Sequence, residues 1–554
     1  MKKIYLLITL CVVTIQCWSQ VSWAKKGGLW AYDYGYGVVT DANNNIYVAG
    51  KFEENAVFGP YTASCQGNHD AYIIKYGADG TEKWFRTAGG ANGDYAWGIS
   101  TDRTNFLYVA GEIEGTTPIV FSGSSVTLQG AGDNDIFVSK WDLDGNVVWA
   151  KREGTSKSEK ALAVTNDNSG NVYVCGYFTD NGNFNGAALP GYGGRDIFIA
   201  KYDAQGTFQW VQKAGGSGRD EAKSVKTDNN GNLYVCGMFS GSASFGGNTV
   251  SSADNYQDSY IAKLSAGDGS FQWVKKGEAV LDDVAWSLIL DNAGSIYVSG
   301  EFNSYISFQS PPAGVATTGN TNAYIAKFDP SGTVQWIRGA GGNMTDRARG
   351  IGTDGSTLYL TGQFGGVANF GSHSLVAADS SDVFITALNS SGGFLWAVAG
   401  GGPADSFEPL GYESGIAVTG NNNMVYATGG MLNDANTPNS IFIDFGGNSL
   451  TGYSRDDMFL VAIGSEGVGL SGEELTFHTN LHPNPSADYF YYNSRWPVQQ
   501  LVVTDLSGKV VQQIAGVGPG ALVIDMRYER QGVYFCAIYL STGDVLHQRI
   551  LLQH

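Results

Sequence analysis

Charge is scarce in this chain. Asp, Glu, Lys and Arg make up 15% of its 554 residues, and the balance is acidic, with a formal net charge of −19. A nucleic-acid binder needs a basic footprint, as does a protein drawn to an anionic lipid surface, so both partners are disfavoured. After the N-terminus no apolar run reaches the ~18 residues of a membrane-spanning helix. Cysteine is sparse, six in all, with no C-x-x-C pair and no metal-ligand spacing. Only His69 and His373 fall in the long middle of the chain. G-x-S-x-G and phosphate-loop motifs are missing too. With no catalytic residue nominated, the chain reads as a binding protein rather than an enzyme.

What is abundant is glycine, 77 residues, with 43% hydrophobic and 13% aromatic residues. That is enough apolar material for a large core and excludes intrinsic disorder. The pairing of many glycines with few charges points to short strands and tight turns. At the N-terminus Lys2 and Lys3 precede an apolar run from Ile4 to Ile15. This is the length of a signal-peptide core, and Cys17-Trp18-Ser19 offers a cleavage site after Ser19. Residues 1–19 are thus expected to be a signal peptide, with Gln20 first in the mature chain. A lipoprotein signal acylated on Cys17 is the rival reading. The mature cysteines are Cys65, Cys175, Cys236 and Cys536. Cys175 and Cys236 sit in equivalent YVCG strands, either as a bridge between repeats or as two buried thiols.

The middle of the chain is periodic at about 62 residues, and three markers recur seven times each. The first is a Tyr-x-x-Gly strand, as in IYVAG (46–50), VYVCG (172–176) and VYATG (425–429). The second is an acid-led strand, as in DAYIIK from Asp70, DIFIAK from Asp196 and DMFLVA from Asp457. The third carries one tryptophan: Trp23, Trp84, Trp149, Trp210, Trp273, Trp336 and Trp396. Together with a leading segment such as GVVT (37–40), each unit reads as four strands, A to D. Turns such as DNSGN from Asp167 and DAQGT from Asp203 join them, with Asp capping and Gly taking positive φ. The Trp residues are expected in the core.

Seven units of four antiparallel strands predict an all-β fold, a seven-bladed β-propeller over residues 20–468. An open solenoid is the alternative. The order of markers favours a closed ring. The chain begins with a Trp strand at Trp23 and ends its repeats with an acid-led strand at Asp457. The N-terminal strand is therefore expected to complete the last blade. These motifs resemble the bacterial seven-bladed β-propeller repeats (the SBBP type), a family with no single activity. The resemblance spans about residues 21–466. Ala387 and Ala462 depart from it, standing where the other repeats mostly have the lysine of the acid-led strand.

After residues 469–480, a linker, the pattern changes. LHPNPS (481–486), DLSGKVV (505–511) and the run from Asp525 to Tyr534 belong to a set of six or seven short strands. About eighty such residues suit a small Ig-like β-sandwich. With Arg549 in the final strand, residues 481–554 resemble the C-terminal sorting domain of the type IX secretion system of the Bacteroidota. The resemblance implies secretion machinery as a partner, removal of the domain, and a product released or held at the outer-membrane surface. An ordinary accessory sandwich is the alternative.

One constellation remains. Eight residues before each A-to-B turn stand Asp33, Asp94, Glu159, Asp220, Asp283 and Asp346, with Tyr412 and Glu413 at the seventh position. At the start of the A strands these acids should ring one mouth of the channel. They either cap loops or form a site for a hydroxyl-rich ligand or a cation such as Ca²⁺. Trp30, Tyr34, Tyr36, Trp97 and Trp286 lie in or next to the same loops. Aromatic faces with nearby carboxylates suit sugar rings; the competing role is packing between blades. The expectation is a secreted or surface-attached monomer that binds a glycan or a protein and needs no cofactor other than Ca²⁺. The rivals are a propeller lyase or glycosidase, which needs acid–base groups converging at one mouth, and an adhesion or gliding scaffold.

Overall fold

A computed structural model describes residues 21–29, 31–228, 230–252, 256–279, 281–308, 314–378, 381–401, 414–421, 424–431, 442–445, 449–451, 457–464, 489–494, 498–505, 509–517, 520–540 and 545–552. The expected signal peptide, the linker, LHPNPS, Trp30, Tyr412, Glu413 and the Arg549 side chain lie outside the described residues. Every regular element described is a β-strand. No described helix is long and apolar enough to cross a membrane. The chain divides into two units, Met1–Glu473 and Glu474–His554.

In the first unit each repeat forms a four-stranded antiparallel sheet in chain order. Glu159–Asn166, Val172–Phe184, Ala187–Tyr202 and Phe208–Gly216 are one such set. The first strands are Tyr34–Thr40, Asp94–Thr101, Glu159–Asn166, Glu221–Thr227, Asp283–Leu290, Arg347–Thr353 and Ser414–Asn421. Each packs against the next, and the last packs against the first. They therefore encircle one axis, which is β-propeller architecture. Val21–Gly27 pairs with Asp457–Gly464, so the N-terminal strand is the outermost strand of the final sheet. The core lies between sheets. Tyr108, Val138 and Ile136 of one repeat pack on Val164, Val174 and Phe198 of the next.

The repeated residues fasten neighbouring sheets. Lys75 and Trp84 both donate to the Leu143 carbonyl, at 2.9 and 3.1 Å. Lys140 and Trp149 share the Ala204 carbonyl in the same way, at 3.1 and 3.2 Å. Every one of the repeats' Trp rings but Trp396 lies against the turn glycine of an adjoining repeat. A Cβ on Gly206 (φ +77) would come within 2.7 Å of Trp149. Only Trp84 and Trp396 are buried; Trp23, Trp149, Trp210, Trp273 and Trp336 are half-buried. The expectation of core tryptophans is corrected accordingly. The half-buried five act as clamps over turns, and Trp84 does so while buried, reaching the Leu143 carbonyl. Ala387 now has a reason. The final sheet takes its fourth strand from the N-terminus, so no C-to-D turn is there to receive a lysine.

The turn acids also act beyond their own loops. Asp167 accepts the Ser169 and Asn171 amides at 2.9 Å each, and the Tyr173 hydroxyl at 3.0 Å. Asp41–Tyr47 and Asp291–Tyr297 repeat the arrangement. The six-residue spacing places the tyrosine of the second strand over the cap. All four described cysteines are free. Cys175 and Cys236 are buried thiols directed at the Ala222 and Ala285 carbonyls, at 3.9 and 3.7 Å.

The second unit has a four-stranded sheet ordered Val510–Val517, Val498–Thr504, Gly532–Leu540, Val545–Leu552. A two-stranded sheet joins Tyr489–Ser494 to Gly520–Asp525. Phe490 and Ile524 of the second share one core with Leu501, Val503, Cys536 and Ile538 of the first.

Candidate functional site

The six acids occupy equivalent places on successive inner strands and are at most 1% exposed. Their oxygens meet backbone amides at a fixed spacing. Asp33, Asp94, Glu159, Asp220 and Asp346 accept the amide four residues earlier, at 3.3, 2.9, 3.2, 2.8 and 2.7 Å. Asp33, Asp220 and Asp346 also accept amides from the second strand of the sheet, those of Glu53, Ser240 and Gly365, at 3.1, 3.3 and 3.1 Å. Asp283 accepts the Ser259 amide at 2.9 Å. Five of the carboxyls thereby tie their approach loops to the ring, and Asp283 ties in the preceding repeat.

Burial disfavours the charged form and raises all six. Asp33 lies well above the ordinary carboxylate range. Asp94 and Asp283 rise to about 8, Glu159 and Asp220 to about 7, and Asp346 to about 6. A second carboxylate adds to burial in five cases: Asp457 by Asp33, Asp70 by Asp94, Asp135 by Glu159, Asp196 by Asp220 and Asp258 by Asp283. The partner is the leading acid of the preceding repeat. A glycine separates the pair; a Cβ on Gly215 would meet Asp196 at 2.4 Å and Asp220 at 2.9 Å. Asp346 faces the repeat in which Asn322 replaces that acid, and no second carboxylate raises it. Among the described residues no group of three or more His, Cys, Asp or Glu is disposed to hold a metal ion.

Three residues beyond each acid, the inner strand carries a β-bulge. The register slips around Tyr36, Trp97, Leu162, Lys223, Trp286, Arg349 and Ile416. A bulge re-aims the side chain of its extra residue. All seven are half-buried, and their types differ from repeat to repeat. Five of them fall in two sectors, with Leu162 and Ile416 in neither. In one, Tyr36 and Trp97 lie 4.3 Å apart between ring centres, Trp97 stacks on Tyr95 at 4.9 Å, and Tyr34 stacks on Tyr36 at 5.8 Å. His69 meets Tyr95 edge-on at 4.3 Å, and burial lowers this imidazole to about 4. In the other sector Lys223 and Arg349 both lie over the Trp286 ring, at 4.9 and 4.4 Å.

Ion pairs bridge adjacent sheets just above the bulges. Lys160 pairs with Glu112 at 2.8 Å, Arg195 with Glu221 at 2.5 Å, and Arg347 with Glu301 at 2.6 Å. Burial works against ionisation of Glu221, yet Lys223 and Arg219 hold its carboxyl down at about 2. Of the expected aromatics, the structure brings Tyr34, Tyr36 and Trp97 together and sets Trp286 in the other sector. The charged members, Lys160, Lys223, Arg347 and Arg349, escaped sequence reasoning. The usable signal was position: they stand one and three residues after a ring acid.

No family model matches the chain. An uncharacterized WD repeat-containing protein, L264, of Acanthamoeba polyphaga mimivirus is 20% identical over 437 residues, covering 62% of this chain and 31% of that protein. Regulatory protein FlaEY of Caulobacter vibrioides is 25% identical over 193 residues, covering 32% of this chain and 19% of that protein. The chain thus spans less than a third of the length of either relative. Among solved structures, the phage phi92 endosialidase is similar with a TM-score of 0.36 and 10% identity, over 96% of this chain and 87% of that one. The quinohemoprotein alcohol dehydrogenase ADHIIG from Pseudomonas putida HK5 is similar with a TM-score of 0.35 and 10% identity, over 84% and 79%. Likenesses this distant carry nothing about function.

Proposed function

We propose that the chain is a non-catalytic, seven-bladed β-propeller that binds a glycan or protein ligand at one mouth of its inner ring. Residues 1–19 and the type IX sorting domain at 481–554 would deliver it to the cell surface or beyond. One observation carries the binding reading. The acids, turn aspartates, lysines and outer tryptophans repeat as scaffold, whereas each bulge residue differs from those of the adjoining repeats (Tyr36, Trp97, Leu162, Lys223, Trp286, Arg349, Ile416). Packing alone would favour repeating these residues as well. Aromatic faces beside fixed charges offer stacking and hydrogen bonding to the same ligand. In this reading the six acids support the site through its loops.

The test is binding of the purified chain to a polysaccharide panel, with and without Ca²⁺. Saturable binding lost in Trp97→Ala and Trp286→Ala, both with wild-type melting, supports the site. Loss of binding in an Asp94→Asn, Asp220→Asn, Asp283→Asn triple variant that still melts normally would give the acids a direct part. No binding across the panel, with melting indifferent to Ca²⁺, would sink the glycan reading.

A further inference from the structure

One row of side chains recurs through the repeats and then loses its middle member. Across the second, third and fourth strands a tyrosine, a lysine and a tryptophan stand side by side. Tyr47, Lys75 and Trp84 form this row in the first repeat, and Tyr108, Lys140 and Trp149 in the second. The row continues through the third, fourth and fifth repeats. In these five the ammonium lies 5.3, 5.5, 5.4, 5.3 and 5.0 Å from the centre of the tyrosine ring. It donates to a turn carbonyl of the next repeat, that of Leu143, Ala204, Ala266, Pro330 and Ser390 in turn, at 2.9, 3.1, 2.9, 3.5 and 3.5 Å. An aromatic face with a hydrogen-bond acceptor beyond it is a favourable seat for an alkylammonium.

The last two repeats lack the lysine, and they differ from each other. Ala387 stands between Tyr359 and Trp396, and Val21 shares one buried core with both rings. Ala462 stands between Tyr426 and Trp23. There, among the described residues, no side chain takes the place of the lysine, and a cleft of about 270 Å³ remains. Tyr426 and Trp23, with ring centres 6.0 Å apart, line it together with Met424. The turn of the first repeat supplies Ala78 and Asp79. Ala78 is the counterpart of Leu143 and Ala204, and its carbonyl accepts Trp23 Nε1 at 3.4 Å. Hydrogen bonds from the Thr81 hydroxyl and amide to Asp79 Oδ1, at 2.7 and 3.0 Å, with Lys83 acting through space, hold the Asp79 carboxyl below the usual range and so ionised. Asn421, also at the cleft, is bonded to Arg103 at 2.8 Å and to Asn44 at 2.6 Å. The cleft thus keeps the ring, the indole and the carbonyl of a lysine seat, adds a carboxylate, and lacks the lysine.

We infer that this cleft binds an alkylammonium group, either the lysine side chain of a peptide or a free alkyl amine. The stem lies along Tyr426 and Trp23, and the ammonium donates to the Ala78 carbonyl and to Asp79. The site adjoins Asn421, at the far end of the inner strands from the ring acids, and is independent of the ligand proposed there.

Cadaverine and acetyl-lysine methylamide, with acetyl-norleucine methylamide as the uncharged control, are titrated against the full-length protein by ligand-observed NMR. The expected result is saturable binding of both amines, about tenfold or more tighter than the control. Tighter binding of the blocked lysine assigns the cleft to a peptide, and tighter binding of cadaverine assigns it to a free amine. Ala462→Lys restores the missing side chain and should abolish binding of both amines, with a melting temperature no lower than that of the wild type. Asp79→Asn, at an exposed position, should weaken both amines about threefold and leave melting unchanged. Binding of neither amine, equal binding of the control, or undiminished binding in a folded Ala462→Lys would overturn the inference. Should Ala462→Lys not fold, unchanged binding in Asp79→Asn overturns it instead.

Discussion

Within one inner strand, two neighbouring positions behave in opposite ways. The acid at its start does the same work in repeat after repeat, buried and bonded to loop amides. Three residues on, the bulge changes from Tyr36 to Trp97, to Lys223, to Arg349, with no shift in backbone geometry. A repeat can vary a side chain freely only where the fold does not use it. The bulge supplies that freedom, since its extra residue is left out of the ladder and directed away from the sheet. Supporting and variable positions are thus separated by three residues of one strand.

That contrast can be broken most severely from the acid side. Asp220→Ala removes the acceptor of the Gly216 and Ser240 amides and leaves both donors in a buried loop. A loss of about 3 kcal/mol is expected by chemical denaturation. A loss below about 1 kcal/mol would show that the acid is not a support.

The next largest effect is a pH dependence. Asp94 and Asp283 are raised by burial from 3.8 to about 8. The folded state then holds more protons than the unfolded chain between about pH 4 and 8. Stability falls as pH rises through that window and levels off above it. The melting temperature should drop on the order of 5 °C from pH 5 to 8.5, and Asp94→Asn with Asp283→Asn should flatten the slope. Asn322→Asp sharpens the comparison. It would give Asp346 the second carboxylate that the other acids have, steepening the decline; an unchanged slope would refute the pairing.

Smaller again is a clamp on the outer strands. Lys140→Met deletes one donor to Ala204 while Trp149 keeps its own. A cost of about 1 kcal/mol is expected, with ligand binding unchanged. Least of all for stability is Trp97→Ala at the bulge, expected within about 1 kcal/mol of wild type while abolishing glycan binding. A large loss of stability with binding intact would reverse the assignment and make Trp97 a packing residue.

Much of the fold was legible because repeats copy what the scaffold needs. Tyr six residues after a turn Asp, Lys and Trp on adjacent strands, and acids eight residues before a turn all recur visibly, and most of them proved to be hydrogen-bonding partners of something repeated. Trp84 and Trp396 lie in the core as expected, while the other five are only half-buried, because sequence shows that an aromatic recurs but not how deep it sits. The charged side chains of the proposed binding face were the least legible. Lys160, Lys223, Arg347 and Arg349 look like ordinary surface charges when the chain is read one repeat at a time.

By itself, the sequence determined the all-β class, the strand order within each repeat, the turn chemistry and the acids' equivalence. All depend on residues close together in the chain, whose spacing records the pleat and the turn. Only tertiary structure decided that the first strands close upon one another, that five of the six acids lie beside the preceding repeat's acid, and that the varied bulge side chains are carried on one ring. Those relations join residues from 24 positions apart, as in Asp196 and Asp220, to sixty or more, as in Tyr36 and Trp97. Their distances are set by sheet packing, which no local pattern records.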